Sequence, residues 1–162
     1  MAKNKSYPLD AIDVRILAEI QRDGRITYTD LAERVGLSPS PCLRRVRMLE
    51  DAGVVTGYIA TVDQTRVGLG INVFASVRLE RQRESELENF NAAVKRWPEV
   101  MECYLMTGTH DYLMRIVVGS LEDYETFIRD RLSRLTGVAS IQSSFALSCV
   151  KHKTAIPVAQ PD

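Results

Sequence analysis

Arg44, Arg45 and Arg47 cluster within one short stretch, and guanidinium forks are the side chains that best match guanine edges and phosphate oxygens. Arg44 and Arg47 stand three positions apart, which places them on one face if the stretch is helical. Just upstream, Ser38-Pro39 reads as an N-cap serine followed by proline at the first helical position, where its missing N–H is not needed. The hydroxyls of Ser38 and Ser40 then fall at a helix N-terminus, a place suited to a phosphate. Ser38, Ser40, Pro41, Arg44, Arg45 and Arg47 together form a surface expected to meet double-stranded DNA. Glu50 and Asp51 at the far end repel phosphates, so contacts should concentrate in the first two turns. Spacing alone leaves a second reading open, a solvated charged face.

Other chemistry is sparse. No paired carboxylates, nucleophile with a neighbouring base, or glycine-rich phosphate loop is present, so an enzyme is not expected. Cys42, Cys103 and Cys149 are far apart and make no metal-ligand spacing. Their expected state is the free thiol, and no metal or cofactor site is nominated. Redox sensing at Cys42 is a minor alternative. His110 and His152 lack triad partners.

The elements that must position the arginines are three helices. Asp10 caps the first, with Asp13 three residues on, and Ile12, Ile16, Leu17 and Ile20 line its inner face. Asp23-Gly24 ends it. Thr27 with Asp30 starts a short second helix with Leu31, Ala32 and Val35 inside, and Gly36 stops it. The third, Ser38 to Asp51, should bury Leu43, Val46 and Leu49, after which Val54 to Val62 reads as an extended return. Residues 1–60 are thus expected to be a helix-turn-helix domain. Residues 61–70, with Gly68 and Gly70, read as a linker.

Residues 71–150 read differently. Ile71, Val73, Ala75, Val77 and Leu79 alternate as in a half-buried strand. Leu87, Phe90, Val94 and Trp97 fit one helix face, closed by Pro98. Two strands, Val100 to Thr107 and Tyr112 to Val118, flank the turn Gly108-Thr109-His110-Asp111. Ser120 caps a helix that runs to Gly137, and Val138 to Val150 is the last strand. This βαββαβ order predicts a ferredoxin-like antiparallel sheet with helices on one face, and an α+β chain overall. Tyr112 to Val118 is apolar at both parities, so the uncovered sheet face is expected to bury against a second subunit. The N-terminal domain folding over that face is the alternative. The tail, 151–162, contains Pro157 and Pro161 and is expected to fray.

The composition is that of a globular protein: 162 residues, 45% hydrophobic and 26% charged. Basic and acidic residues balance at 21 each, so DNA binding must rest on a local patch and not on overall charge. Met1 to Pro8 is short, polar and basic, unlike a signal peptide, and no apolar run is long enough for a bilayer. A cytoplasmic location without membrane contact is the expectation.

Residues Asp10-x-x-Asp13, Ile16-Leu17, Asp23-Gly24-Arg25 and the run Leu31-x-x-Arg34-Val35-Gly36-Leu37-Ser38-Pro39-x-Pro41-Cys42-Leu43-x-Arg45-Val46-x-x-Leu49-Glu50-x-x-Gly53-Val54 resemble the Lrp/AsnC family of feast/famine transcriptional regulators. Gly57-Tyr58, Glu102-Cys103, Gly108-x-x-Asp111-Tyr112 and Leu135-x-Gly137-Val138 extend the resemblance across residues 9 to 150. The family implies a simple or winged helix-turn-helix followed by a βαββαβ sensing domain, and dimers that assemble further, commonly into octamers. It also implies that an amino-acid effector binds between subunits near Gly108 and Asp111. A glycine lets backbone N–H groups approach a carboxylate, and an aspartate suits an α-ammonium. Leu105, Thr107, His110, Tyr112, Leu121 and Phe145 join that implied effector site as its lining or support. On residue types alone, Gly108 to Asp111 reads as an ordinary β-turn. The resemblance therefore implies a DNA-binding regulator of amino-acid metabolism or transport whose dimer offers two recognition helices to spaced half-sites. An effector-independent architectural DNA-binding protein is the alternative.

Overall fold

The computed structural model describes residues 7–159, in two compact units. One comprises the chain up to Thr61 together with the segment from Lys151; the other is Val62–Val150.

The first unit is built on α1 (Ala11–Arg22), α2 (Tyr28–Val35) and α3 (Pro39–Asp51). A reciprocal capping box opens α1: the Asp10 carboxylate accepts from the N–H of Ile12 and Asp13, and Asp13 accepts from the Asp10 N–H. Thr27 caps α2 by accepting from the Asp30 N–H at 3.1 Å. Gly36 then ends α2 in the left-handed conformation (φ 74°), which no side chain enters cheaply. Ile16, Leu17 and Ile20 meet Leu31, Ala32, Val35, Cys42, Val46 and Leu49 in one core.

Three local features differ from the sequence expectation. The inner face of α3 is Cys42, Val46 and Leu49, while Leu43 is only half-buried; the small thiol packs closest to the core. Ser38 occupies the N-cap position without a side-chain capping bond. The return after α3 begins with the N–H of Val54 and Val55 both donating to the Leu49 carbonyl, then runs on without strand pairing among the described residues.

Of the C-terminal segment expected to fray, residues 160–162 lie outside the described residues, and the part around Ile156 and Val158 is attached. The Gln21 side chain accepts from the Ile156 N–H at 2.7 Å and donates to its carbonyl at 3.2 Å, and Val158 packs on the helical core. A side-chain amide matched to a backbone peptide supplies what a strand neighbour would.

In the second unit, β1 (Ile71–Leu79), α4 (Glu84–Val94), β2 (Val100–Leu105), β3 (Tyr112–Val118), α5 (Leu121–Asp130) and β4 (Val138–Phe145) follow in the βαββαβ order. The sheet is antiparallel with strand order β2-β3-β1-β4. One face, Val73, Ala75, Val77 and Leu79 of β1 with Tyr112, Met114, Ile116 and Val118 of β3, packs against Phe90, Val94, Tyr124 and Phe127 of the helices. Ring contacts fix the layer: Phe90 stacks on Tyr112 at 4.2 Å, and Trp97 meets Phe127 edge-on at 5.4 Å. Ser120 caps α5 by accepting from the Asp123 N–H. The helix stops at Asp130, earlier than Gly137, because Arg131 leaves helical geometry and a short 3-10 turn, Leu132–Arg134, follows. β4 likewise ends at Phe145 and not at Val150, leaving Leu147 and Val150 exposed.

The second sheet face is mixed and not uniformly apolar. Leu113 and Val117 of β3 flank Arg115, whose guanidinium donates to Glu102 at 2.8 Å and to the Asn72 side chain at 3.1 Å, beside exposed Phe74 and Tyr104. Residues 63–69, within the expected linker, form an ordered turn: the Leu69 N–H donates to the Gln64 carbonyl, and Asp63 accepts from the N–H of Thr65 and Arg66.

Candidate functional site

Helix α3 carries the proposed DNA-reading residues. A helix begins with N–H groups that have no partner inside it. Pro39 and Pro41 delete two of them, so the backbone donors left at this end are those of Ser38 and Ser40. Both serines and Pro41 are exposed, and the unbonded Ser38 hydroxyl is available to a ligand. Further along, Arg44 and Arg47 are exposed on the side away from Cys42, Val46 and Leu49, and neither forms an ion pair among the described residues.

Arg45 is different. It turns inward, 28% exposed, and one nitrogen, Nη1, donates to Asp10 at 2.6 Å and to Asp13 at 2.8 Å. The same two carboxylates form the capping box of α1, and Asp13 is buried. The N–H donated by Asp13 and the Arg45 guanidinium hold the Asp10 carboxyl below its ordinary value, against some opposition from desolvation. Arg45 thus differs from its expected fellow DNA contacts in that its charge is engaged on α1. The sequence did carry a signal for this pair. Asp13 falls in register with Ile16, Leu17 and Ile20, and an acid on an apolar stripe demands a cationic partner.

The hairpin residues separate into two groups. At the tip, Thr107 and Gly108 are exposed, Gly108 has a φ of 115°, and Thr109 Oγ1 lies 3.0 Å from half-buried His110 Nδ1. Beneath them, Asp111 is 5% exposed and both of its carboxylate oxygens are occupied. Oδ2 accepts from the Leu79 N–H at 2.7 Å and Oδ1 from the Gln82 side chain at 2.5 Å. The Asp111 N–H itself donates to the Val77 carbonyl. Leu79 lies beyond the last β1–β3 pair, Val77 with Tyr112, so this carboxylate supplies the acceptor that a further residue of β3 would have provided. Asp111, expected at the effector site, is in this chain a buried turn residue whose carboxylate is bonded to Leu79 and Gln82. Tyr112, also expected there, is 1% exposed, stacked on Phe90, and its hydroxyl donates to Asn91.

Leu105, Leu121 and Phe145 are exposed by 63%, 59% and 44%. They do not converge within one chain. Leu105 pairs with Tyr112 at the hairpin end of β3, whereas Phe145 pairs with Val73, itself opposite Ile116, and Leu121 follows the far end of β3. Four to six residues of strand separate the two ends, roughly 14–20 Å. Phe145 also leans edge-on against Tyr124 at 5.3 Å.

Thiol chemistry finds no support. Burial raises the Cys42 thiol and pushes Cys103 up to about 11, which suppresses the reactive thiolate. No group of residues suited to a metal ion occurs among the described residues, and no described helix is long and apolar enough to cross a membrane.

Residues 9–56 match the winged helix-turn-helix DNA-binding family model, and residues 72–156 match that of the Lrp/AsnC ligand binding domain. The chain is 43% identical to the Bkd operon transcriptional regulator of Pseudomonas aeruginosa over 150 residues, covering 93% of this chain and 98% of that one. Its identity to the leucine-responsive regulatory protein of Salmonella typhimurium is 38% over 161 residues, 98% of each. Among solved structures, a transcriptional regulator from Neisseria meningitidis in complex with L-Met superposes with a TM-score of 0.89 at 43% identity, covering 93% of this chain and 97% of that one. With its helix-turn-helix, its four-stranded sheet and these matches along nearly its whole length, the chain belongs to the Lrp/AsnC family of DNA-binding transcriptional regulators with an amino-acid ligand-binding domain.

Proposed function

We propose that the chain reads operator DNA as a dimer or a larger assembly, with α3 in the major groove, and that an amino acid with an apolar side chain sets its occupancy. The observation that carries the DNA reading is the pair Arg44 and Arg47: two exposed guanidinium groups, without an ion pair among the described residues, on the face of α3 opposite its core. Ser38, Ser40 and Pro41 form the leading turn, where hydroxyls and the remaining N–H groups meet phosphate. A two-fold dimer presents two such helices at half-sites one or more DNA turns apart, about 34 Å per turn.

The effector reading rests on the family's ligand-binding domain and on the L-Met complex of the Neisseria relative. In this chain, the exposed tip Thr107, Gly108 and His110 with Leu105 is one half of the surface, and Leu121 with Phe145 is the other. Because these lie at opposite ends of one sheet, a single amino acid touches both only where two subunits meet. The mixed open face, with Phe74, Tyr104 and Leu113 around Arg115, suits a partner subunit. Ligand acts by favouring one assembly, to the extent of its differential affinity.

The test uses a duplex that the protein selects from a random-sequence pool. Arg44→Ala and Arg47→Ala should each weaken binding about tenfold, the effect of losing ~1.4 kcal/mol. Unchanged affinity in both variants sinks the assignment of α3. A thermal-shift panel of the twenty amino acids should raise the unfolding temperature for at least one of apolar side chain. A flat panel would instead favour an effector-independent architectural role.

A further inference from the structure

We propose that Arg45 is a positioning residue: it clamps the recognition helix to the N-terminus of α1 through Asp10 and Asp13, and so sets the angle at which Arg44 and Arg47 meet DNA. The proposal rests on α3 being the DNA-reading helix. Arg45 projects from the second turn of α3, and its Nη1 bridges Asp10 Oδ2 at 2.6 Å and Asp13 Oδ1 at 2.8 Å. Its acceptors are themselves fixed. The other Asp10 oxygen, Oδ1, takes the N–H groups of Ile12 and Asp13, and the other Asp13 oxygen takes the Asp10 N–H. Every oxygen of the two carboxylates therefore has a donor, and the guanidinium is held by a rigid helix end and not by two mobile side chains.

The surroundings make this more than a surface ion pair. Asp13 is 7% exposed on the inner stripe of α1, so its charge depends on a partner. A depression beside the pair is lined by Tyr7, Pro8, Arg44 and Met48, which places the clamp beside Arg44. Arg44 and Arg45 are consecutive, so rotation of α3 that moves one moves the other. A contact geometry tolerates little such rotation before bidentate pairing with a base edge is lost.

The test separates positioning from contact by the salt dependence of binding to the selected duplex, together with a double-mutant cycle. A cation on a phosphate contributes about 0.9 to the slope of log K against log salt; a residue that only orients others contributes nothing. Arg45→Gln should weaken binding about tenfold with the wild-type slope. Asp13→Asn should also weaken it at that slope, although it removes a negative charge near DNA, which by simple electrostatics strengthens binding. The double variant should bind no worse than the weaker single, since one interaction is lost once. Asparagine keeps an acceptor for the Asp10 N–H, so α1 retains its cap, and circular dichroism confirms folding.

The proposal is overturned if Arg45→Gln flattens the slope as a phosphate contact does, if Asp13→Asn tightens binding, or if the two losses add. Arg44→Gln and Arg47→Gln run alongside. Should both leave affinity and slope untouched, α3 is not the reading helix and the clamp has nothing to position, a pattern distinct from the other three.

Discussion

Asp111→Ala separates a ligand contact from a structural acceptor. The substitution leaves the Leu79 N–H without a partner in a buried location and frees the Gln82 side chain. Orphaning a buried donor costs about 1–3 kcal/mol, and a partly exposed bond to a charged group adds roughly another 1 kcal/mol, for a total near ~3 kcal/mol. For a unit the size of residues 62–150, each kcal/mol moves the unfolding midpoint by about 4–8 °C, so the sensing unit should melt roughly 12–24 °C lower. Asp111→Asn retains an acceptor for Leu79 and should lose less than half as much. The assay is thermal unfolding of the full chain followed by Trp97 fluorescence, which reports on this unit alone because the chain has 1 tryptophan. An Asp111→Ala protein that melts with the wild type but no longer shifts with amino acids would refute the structural account and restore the carboxylate to the effector.

Acid should loosen the first unit through Asp10. Its folded value lies below the ordinary 3.8, so its contribution is fully present above that value and is lost as pH falls through the depressed one. Asp10→Asn should therefore flatten the decline of the urea midpoint below about pH 4, where the unfolded carboxyl titrates; an unaltered acid limb would contradict this. Ending the chain at Val150 removes the Gln21–Ile156 pair and the Val158 contact. At about 0.5–1.5 kcal/mol per exposed bond, amide exchange in the last turn of α1 should accelerate roughly tenfold. Equal protection in both chains would show that the attachment carries no stability.

The sequence revealed what depends on neighbours along the chain, and concealed what depends on distant partners. The caps at Asp10, Thr27 and Ser120, the glycine stop at Gly36 and the alternation of β1 are local, and the elements form where they fall. On the inward face of α3, Val46 and Leu49 lie where expected, but Cys42 takes the place of Leu43, because both fit the periodicity and only packing chooses the smaller one. Arg45 looks like its neighbours until Asp10, 35 positions away, comes into contact. Gln82, 29 positions from Asp111, gives no signal in the sequence of the bond that its side chain donates to that carboxylate. Two prolines marked the C-terminal segment as loose, while the glutamine that receives it lies 135 positions earlier.

These distant pairs also explain how a chain with no net charge presents a positive strip. In the first unit, Arg45 is matched by Asp10 and Asp13, and Arg34 by Glu19 at 2.7 Å. An acid paired at hydrogen-bond distance projects little field beyond a Debye length of about 8 Å. Three carboxylates that would repel a phosphate backbone are thereby partly screened inside the unit by two guanidinium groups. Arg44 and Arg47 remain exposed on the outer face of α3, without an ion pair among the described residues. An even balance of charge is then compatible with DNA binding, because what a phosphate meets is set by which charges are paired, and α1 is the element that does the pairing.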